Sequence, residues 1–309
     1  MNTNDLSPIA VIAFNRPDAL KMALTSLSAN PLADQSDLFI FIDGPRENKL
    51  GEDEKVSKVK AVAETASGFK SVTIKASEQN KGLAKSIISA ATELINQYGK
   101  IILVEDDLYL SPSFLNYMNT MLQFYEHDQR IMQITGYCSK FRKPTSYKWD
   151  IFLNRRANSW SWATWKDRWD TVDWEVKDYD AFMADSKRQK AFNTYGSGST
   201  KMLKGWKTGK NNSWYIRFHY SMFKQCRFTV SPVRSLVRND GFSSEATHCK
   251  GYNRFKIDFM DNYKENWLIP PRIEWNRKIN KRAVHYSTVP YRIYGKIMTF
   301  FYKKFGNGK

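Results

Sequence analysis

Short apolar runs alternate with longer segments of helical spacing over the first 110 residues. Residues 9–14, 38–42, 72–75 and 101–104 are rich in Ile, Val, Leu and Phe and bounded by polar or turn residues, the signature of buried strands. Between them, Pro17 suits a first helical turn and leads into Leu20, Ala23, Leu24 and Leu27. A second helical stretch covers about residues 52–66, and a third runs through Leu83, Ile87, Ala91, Leu94 and Ile95. Alternation at this spacing predicts βαβ units: an α/β fold with a mixed, mostly parallel, Rossmann-like sheet flanked by helices. In such sheets ligands bind beyond the carboxyl ends of the strands.

Those ends are polar. The first strand runs into Asn15-Arg16-Pro17, the second into Asp43-Gly44-Pro45-Arg46, the third leads to Asn80-Lys81-Gly82, and the fourth ends in Glu105-Asp106-Asp107. All four sets gather at one edge of the predicted sheet. Past residue 140 the texture turns aromatic and basic, with Trp149, Trp160, Trp162, Trp165, Trp169 and Trp174 close together. Residues 196–209 show no apolar periodicity and read as a loop. Residues 214–223 read as a helix, and 228–232 and 236–237 as short strands before a loop over 239–251. No internal repeat or low-complexity linker interrupts the chain.

The chain has 309 residues, 42% hydrophobic and 26% charged, which suits a globular protein with a sizeable core and excludes a disordered one. The longest apolar runs fall far short of the roughly 20 residues that span a bilayer. The N-terminus lacks the basic segment and long apolar run of a secretory signal. Cys138, Cys226 and Cys249 are widely spaced without a CxxC pair, against a disulfide framework or zinc ribbon. The expected setting is therefore reduced and cytoplasmic. Charge divides the chain: residues 1–136 hold 13 Lys/Arg against 17 Asp/Glu, and the remainder 35 against 14, for a net +17. No acidic residue follows Glu274. Such asymmetry predicts a polyanionic partner for the C-terminal part: nucleic acid, an anionic membrane or a phosphorylated substrate.

Glu105-Asp106-Asp107 is the most informative motif. Three successive carboxylates repel one another, and burying any of them is costly without a counter-charge. Strand alternation predicts Glu105 and Asp107 on one face and Asp106 on the other. A divalent cation would relieve the repulsion, and Mg²⁺ or Mn²⁺ favours oxygen ligands shared between carboxylates and phosphates. A solvated acidic turn before the Ser111-Pro112 helix start is the plainer alternative.

In order and spacing, residues 9–17, 39–45, 80–83 and 102–108 resemble GT-A fold glycosyltransferases, above all bacterial family-2-like sugar transferases. Glu105-Asp106-Asp107 is similar to the Glu-Asp-Asp form of the DxD motif in N-acetylglucosaminyltransferase I. Residues 158–169, 235–242 and 247–249 resemble acceptor-side and C-terminal segments of the bacterial group, so the likeness covers roughly residues 8–255. It implies a nucleotide-sugar-binding half over residues 1–136, an acceptor half over 137–276 in the same catalytic unit, and a basic tail over 277–309. It further implies Asp107 and His248 as ligands of Mn²⁺ or Mg²⁺, with Glu105 and Asp106 directed to ribose, donor sugar or metal-bound water. Asn15, Arg16, Asp43, Asn80 and Gly82 would line the donor pocket. On local grounds Asp43, Asn80 and Gly82 are equally turn formers.

Trp160, Trp162 and Trp165 fit neither a clean helix face nor a clean strand face. Their spacing predicts a loop with aromatic faces for an acceptor sugar, while Trp bulk also suits a core. An inverting transfer needs a base on the acceptor hydroxyl. The segment that carries it in N-acetylglucosaminyltransferase I reads Asn211-Asn212-Ser213-Trp214 here, and Asn212 cannot serve. Asp240 and Glu245 are the nearest replacements. Residues 291–304 interleave apolar and basic side chains, suiting either an amphipathic helix on an anionic membrane or a helix docked on the core. The expectation is a metal-dependent, inverting transferase moving sugar from a nucleotide-sugar to a glycan or lipid-linked glycan, peripheral to the inner face of the cytoplasmic membrane, with nucleic acid not expected as partner. The alternatives are a basic polyanion- or nucleic-acid-binding protein and a nucleotidyltransferase. The first shows no recognised nucleic-acid-binding motif, and the second lacks a glycine-rich phosphate loop, since Gly196-Ser197-Gly198 follows no clear strand.

Overall fold

The computed structural model describes residues 5–239 and 256–305, with side chains given up to residue 301. In chain order the elements are β1 (Ile9–Ala13), α1 (Pro17–Ser28), β2 (Asp37–Ile42), α2 (Glu52–Glu64), β3 (Ser71–Ala76), α3 (Leu83–Tyr98), β4 (Lys100–Glu105), β5 (Leu108–Leu110) and α4 (Phe114–Phe124). Then come β6 (Ile131–Thr135), β7 (Ile151–Asn154), β8 (Trp162–Trp165), α5 (Lys166–Trp169), α6 (Tyr179–Ala184), α7 (Ser186–Thr194), α8 (Ser199–Lys207) and α9 (Trp214–Lys224). The chain continues through β9 (Phe228–Pro232), β10 (Val237–Asn239), α10 (Arg277–Ala283) and α11 (Val289–Phe305). No described helix is long and apolar enough to cross a membrane.

One sheet of eight strands in the order β3-β2-β1-β4-β8-β6-β9-β7 carries the fold, and β5 pairs separately with β10. β3, β2, β1 and β4 are parallel, β8 runs antiparallel to both β4 and β6, and β9 is parallel to β6. The predicted mixed, mostly parallel sheet is therefore observed, and it runs without a break from the predicted donor half into the acceptor half.

Strand alternation assigns side chains to the two faces. Ile9, Val11, Ile102 and Val104 pack in one core with α1, α2 and α4; Ala10, Ile12, Ile101 and Leu103 pack in the other with α3 and α9. β8 obeys the same rule and corrects the expected aromatic loop. Trp162 and Trp165 lie on a strand, three residues apart and thus on opposite faces. Trp162 is fully buried and stacks on Trp169 with ring centroids 5.6 Å apart. Trp165 is buried in the other core, where its indole N–H donates to Leu122 O at 3.2 Å. Both are core residues rather than acceptor contacts, because a central strand covered on both sides offers neither face to solvent.

A second correction concerns α8, which forms where a loop was expected. Its fully buried positions are Ser199, Thr200 and Leu203, and only Leu203 and the partly buried Trp206 pack in the cluster of Phe192 and Ile216, too few for a periodic signal. Trp162→Ala should lower unfolding stability by about 3–5 kcal/mol, the range for truncating a buried Trp. Urea denaturation should show this, with Trp160→Ala, at a half-buried position, distinctly milder.

Candidate functional site

The carboxyl ends of β1, β2, β3 and β4 place four polar loops side by side. The chain leaves β4 at Glu105 and turns at Asp106-Asp107 before β5, so strand alternation stops two residues earlier than expected. Both aspartates face the same group. Arg16, at the cap of α1, donates from Nη1 to Asp107 Oδ2 at 3.0 Å and from Nη2 to Asp106 Oδ1. The expected split of Asp106 away from Asp107 is thereby corrected: the turn brings them onto one guanidinium.

One guanidinium serves three carboxyl groups. Among the described residues, Asp106 Oδ2 and Asp107 Oδ1 are buried without a hydrogen-bond partner. Burial, followed by the charges of Asp107 and Asp106, holds the Glu105 carboxyl well above its ordinary value. Burial also pushes Asp106 up to about 7, with Arg16 pulling against it and Asp107 adding to it. Among the described residues the cluster thus has two orphaned buried oxygens, and its raised proton affinities reflect carboxyl groups crowded beyond what Arg16 alone offsets.

Asp43 is fully engaged. Its Oδ1 accepts from Gly44 N at 3.0 Å and Lys81 N at 2.8 Å, and its Oδ2 accepts from Gly82 N at 2.9 Å and Asn80 Nδ2 at 3.2 Å. Four acceptances account for the lone pairs of a carboxylate, so Asp43 acts as the latch between the loops after β2 and β3. Asn80 also donates to Gly44 O at 2.8 Å. Gly44 is required by close approach, since a Cβ there would stand 2.5 Å from the backbone carbon of Gln79. The three sequence-predicted residues Asp43, Asn80 and Gly82 are therefore brought together as the frame of the edge.

Asn15 is tied back by donating to Glu52 Oε1 at 3.1 Å. Glu52, in the first turn of α2, also accepts from Arg46 N at 2.8 Å and from the Arg46 guanidinium. Sequence reading passed over Glu52 because an acid in a helical first turn is ordinary; the one available signal was Arg46 six residues before it. Trp160 is the one tryptophan of the predicted three at the edge. β8 runs antiparallel to β4 with Trp162 opposite Leu103, which carries the chain at Trp160 to the same edge as Glu105. There it packs edge-to-face on Tyr137, 4.7 Å between centroids, and lines a cleft of about 310 Å³. Asn212 lines a separate groove with Lys85, Thr92 and Arg217. Asp240, Glu245 and His248 lie outside the described residues; Asn239, just before them, pairs with Leu108, which follows Asp107.

The Arg46 hydrogen bonds hold the Glu52 carboxyl down to about 2 from 4.5, against the opposing effect of burial. A depressed acid contributes stability that is present above its unfolded value and lost as pH falls through the folded one. Glu52→Gln should therefore cost about 2 kcal/mol at neutral pH, the order of hydrogen bonds to a charged group. In urea titrations the gap to the unsubstituted protein should narrow as pH falls from about 4.5 toward 2. A gap independent of pH would remove the ionic role.

The GNT-I family matches residues 1–194 of the chain. No curated protein matches it. Among solved structures it is similar to a mannosyltransferase from Pyrobaculum calidifontis in complex with GDP-Man and Mn²⁺, at 14% identity over 53% of this chain and 46% of that one, with a TM-score of 0.35. It is also similar to S. aureus TarS 1–349, at 11% identity over 76% and 61% with a TM-score of 0.41. A third is glucosyl-3-phosphoglycerate synthase from Mycobacterium tuberculosis, at 12% identity over 55% and 60% with a TM-score of 0.32. The match spans about half the length of these proteins, and likenesses of this size carry no argument about activity. The family match is different in kind, because it takes in more than half of the chain and all four strand ends from Asn15 to Asp107; the chain belongs to the GNT-I family of glycosyltransferases.

Proposed function

We propose that this protein is a metal-dependent, inverting glycosyltransferase that moves a sugar from a nucleotide-sugar donor to a glycan or lipid-linked glycan acceptor at the cytoplasmic membrane face. The observation that carries this reading is the carboxylate triplet at the end of β4, with its two buried, unpartnered oxygens. Those oxygens fit a hard divalent cation. Among the described residues no cluster of three metal-ligating side chains occurs. Mg²⁺-type sites need none: one or two carboxylates suffice where substrate phosphates complete the shell.

Asp107 is the residue that would hold Mn²⁺ or Mg²⁺, with His248 as the second candidate. When bound, the cation would supply Lewis-acid neutralisation of the charge developing on the departing diphosphate. The chain's own residues do the remaining work. Arg16 fixes Asp106 and Asp107 in one orientation. Glu105, at the end of β4, would be directed with Asp106 to the ribose, the donor sugar or metal-bound water. The Asp43 latch and the Glu52–Asn15 tie keep the donor pocket shaped before substrate arrives, so that little ordering remains to be done on binding. Trp160 and Tyr137 offer aromatic faces to an acceptor sugar. Asp240 and Glu245 are the carboxylates available as base for the acceptor hydroxyl.

Membrane placement rests on α11, where Ile293, Ile297 and Phe300 are exposed in a helix that carries Arg and Lys and no acid. Ile297→Glu with Phe300→Glu should reduce co-sedimentation with anionic vesicles; unchanged sedimentation would remove α11 from the reading.

The central test uses Asp107→Ala. Thermal-shift titrations with UDP-, GDP-, CMP- and dTDP-sugars, each with and without Mn²⁺, should show Mn²⁺-dependent stabilisation by one nucleotide in the unsubstituted protein and none in the variant. Transfer should fall at least about a hundredfold. The unliganded variant should melt no lower, because removing one of three crowded carboxylates relieves repulsion. Full turnover by Asp107→Ala would sink the metal reading.

A further inference from the structure

The acceptor cleft does not end at Trp160. Its wall continues through Arg156, Met202, Tyr215 and Ser287 into a second cavity of about 540 Å³, lined by those same four residues together with the loop over 196–198 and α8. Among the described residues five cations line this cavity, namely Arg156, Lys201, Lys204, Lys210 and Arg292, and no acidic residue does. The sequence between Phe192 and Ser213 contains no acid at all.

Two of the five are brought there by specific geometry from distant parts of the chain. Arg156, following β7, donates from Nε to Tyr215 Oη at 3.0 Å. Arg292, in α11, donates from Nη1 to Ser197 O. Both guanidinium groups lie against the 196–198 loop. A Cβ at Gly198, whose φ is +90°, would stand 2.5 Å from Arg292 Nη1, and one at Gly196 would stand 3.4 Å from an Arg156 Nη1. Gly198 thus leaves the space that Arg292 occupies, whereas the close approach at Gly196 is to Ser199 Oγ, 2.8 Å from where its Cβ would stand. The α8 terminus itself is not the attraction, since the amides of Ser199 and Thr200 already donate to Gly196 O and Asn193 Oδ1.

Converging like charges without a protein counter-ion is unfavourable, and an anion reverses the sign of that energy. Guanidinium pairs match phosphate oxygens in fork geometry, and lysines add point charge. The volume exceeds that of a single small ion and suits a diphosphate or phosphate ester. We infer that this basic cavity binds a phosphate or diphosphate group carried by the acceptor, so that the substrate class is an anionic glycan whose sugar end reaches Trp160 and whose phosphate end rests on Arg156, Arg292 and the α8 lysines. The assignment to the acceptor rests on the transferase reading; the anion site itself does not.

The probe is inorganic pyrophosphate, measured by calorimetry on the whole protein with EDTA present to silence the Asp107 site. The unsubstituted protein and Asp107→Ala should bind it equally. Lys201→Glu with Lys204→Glu, both exposed on α8, should weaken binding by at least about tenfold as two of five cations change sign. Arg292→Gln should also weaken it, with an unchanged melting temperature excluding misfolding. The lysine variant should keep Mn²⁺-dependent nucleotide stabilisation, which reports on the donor site alone. Farnesyl diphosphate and glucose 6-phosphate distinguish the source: tighter binding of the first assigns a lipid-carried diphosphate, and tighter binding of the second a phosphorylated glycan. No pyrophosphate binding, or equal binding by the lysine variant, overturns the site even if nucleotide binding stands. Loss of nucleotide binding everywhere, with pyrophosphate binding intact, overturns the transferase reading and the acceptor assignment together while leaving the anion site.

Discussion

Asp106 and Asp107 enter the protein interior beside Glu105 with Arg16 as their one cation among the described residues, and much of the structure follows from that crowding. β4 lies between β1 and β8 in the middle of the sheet, with apolar side chains on both faces. Water therefore cannot screen its carboxyl end as it would an exposed acidic turn. Arg16 is placed by the turn into α1 and Pro17 by its fit to the first helical position, so the cation arrives from the neighbouring parallel strand at a fixed height. Two oxygens remain unsatisfied after that contact. Such a group is expensive in a merely structural role and useful where a ligand brings positive charge.

The sheet and its helices were legible because a strand buried on both faces and a helix buried on one leave different periods in the sequence. The edge was legible for a related reason: polar residues directly after apolar strands have few structural uses. Individual roles were harder to read. Asp43 looks the same whether it meets a nucleotide or four protein donors, and the answer depends on loop residues nearly forty positions away. Trp162 and Trp165 have aromatic content that suits a sugar site, yet register with β4 and β6 decides their burial. Asp106 and Asp107 were assigned opposite directions because the strand was assumed to continue, and the turn into β5 ends it. α8 escaped notice since polar Ser199 and Thr200 fill two of its three buried positions.

The opposite charges of the two halves acquire a physical sense once the fold is known. The acidic triplet ends β4, at the sheet edge to which β8 also brings Trp160, and the cleft lined by Trp160 shares Arg156, Met202, Tyr215 and Ser287 with the cation-lined cavity. On the proposed reading, the crowded carboxylates of the triplet would repel the phosphates of a nucleotide-sugar unless a metal ion intervened, so the donor edge would select a nucleotide that arrives with that ion. The cavity needs no such intermediary for an anion. If both proposals hold, two anionic substrates would be told apart by the same protein: one that comes with a divalent cation, and one held by guanidinium and ammonium groups.

This separation also bears on Asn212. A carboxylate at that position would face Lys85 and Arg217 in the groove between α3 and α9, a surface that shares no lining residue with the acceptor cleft. Lys85 and Arg217 would form an ion pair with it, and a paired acid makes a poor base because the partner charge lowers its proton affinity. Asparagine there removes that pairing and leaves Arg217 stacked against Trp174 and Trp206, where burial lowers its own pKa. The substitution is therefore consistent with an active transferase whose base lies elsewhere. The chain enters the segment bearing Asp240 and Glu245 from Asn239, and pairing of Asn239 with Leu108 brings that entry to within one residue of Asp107.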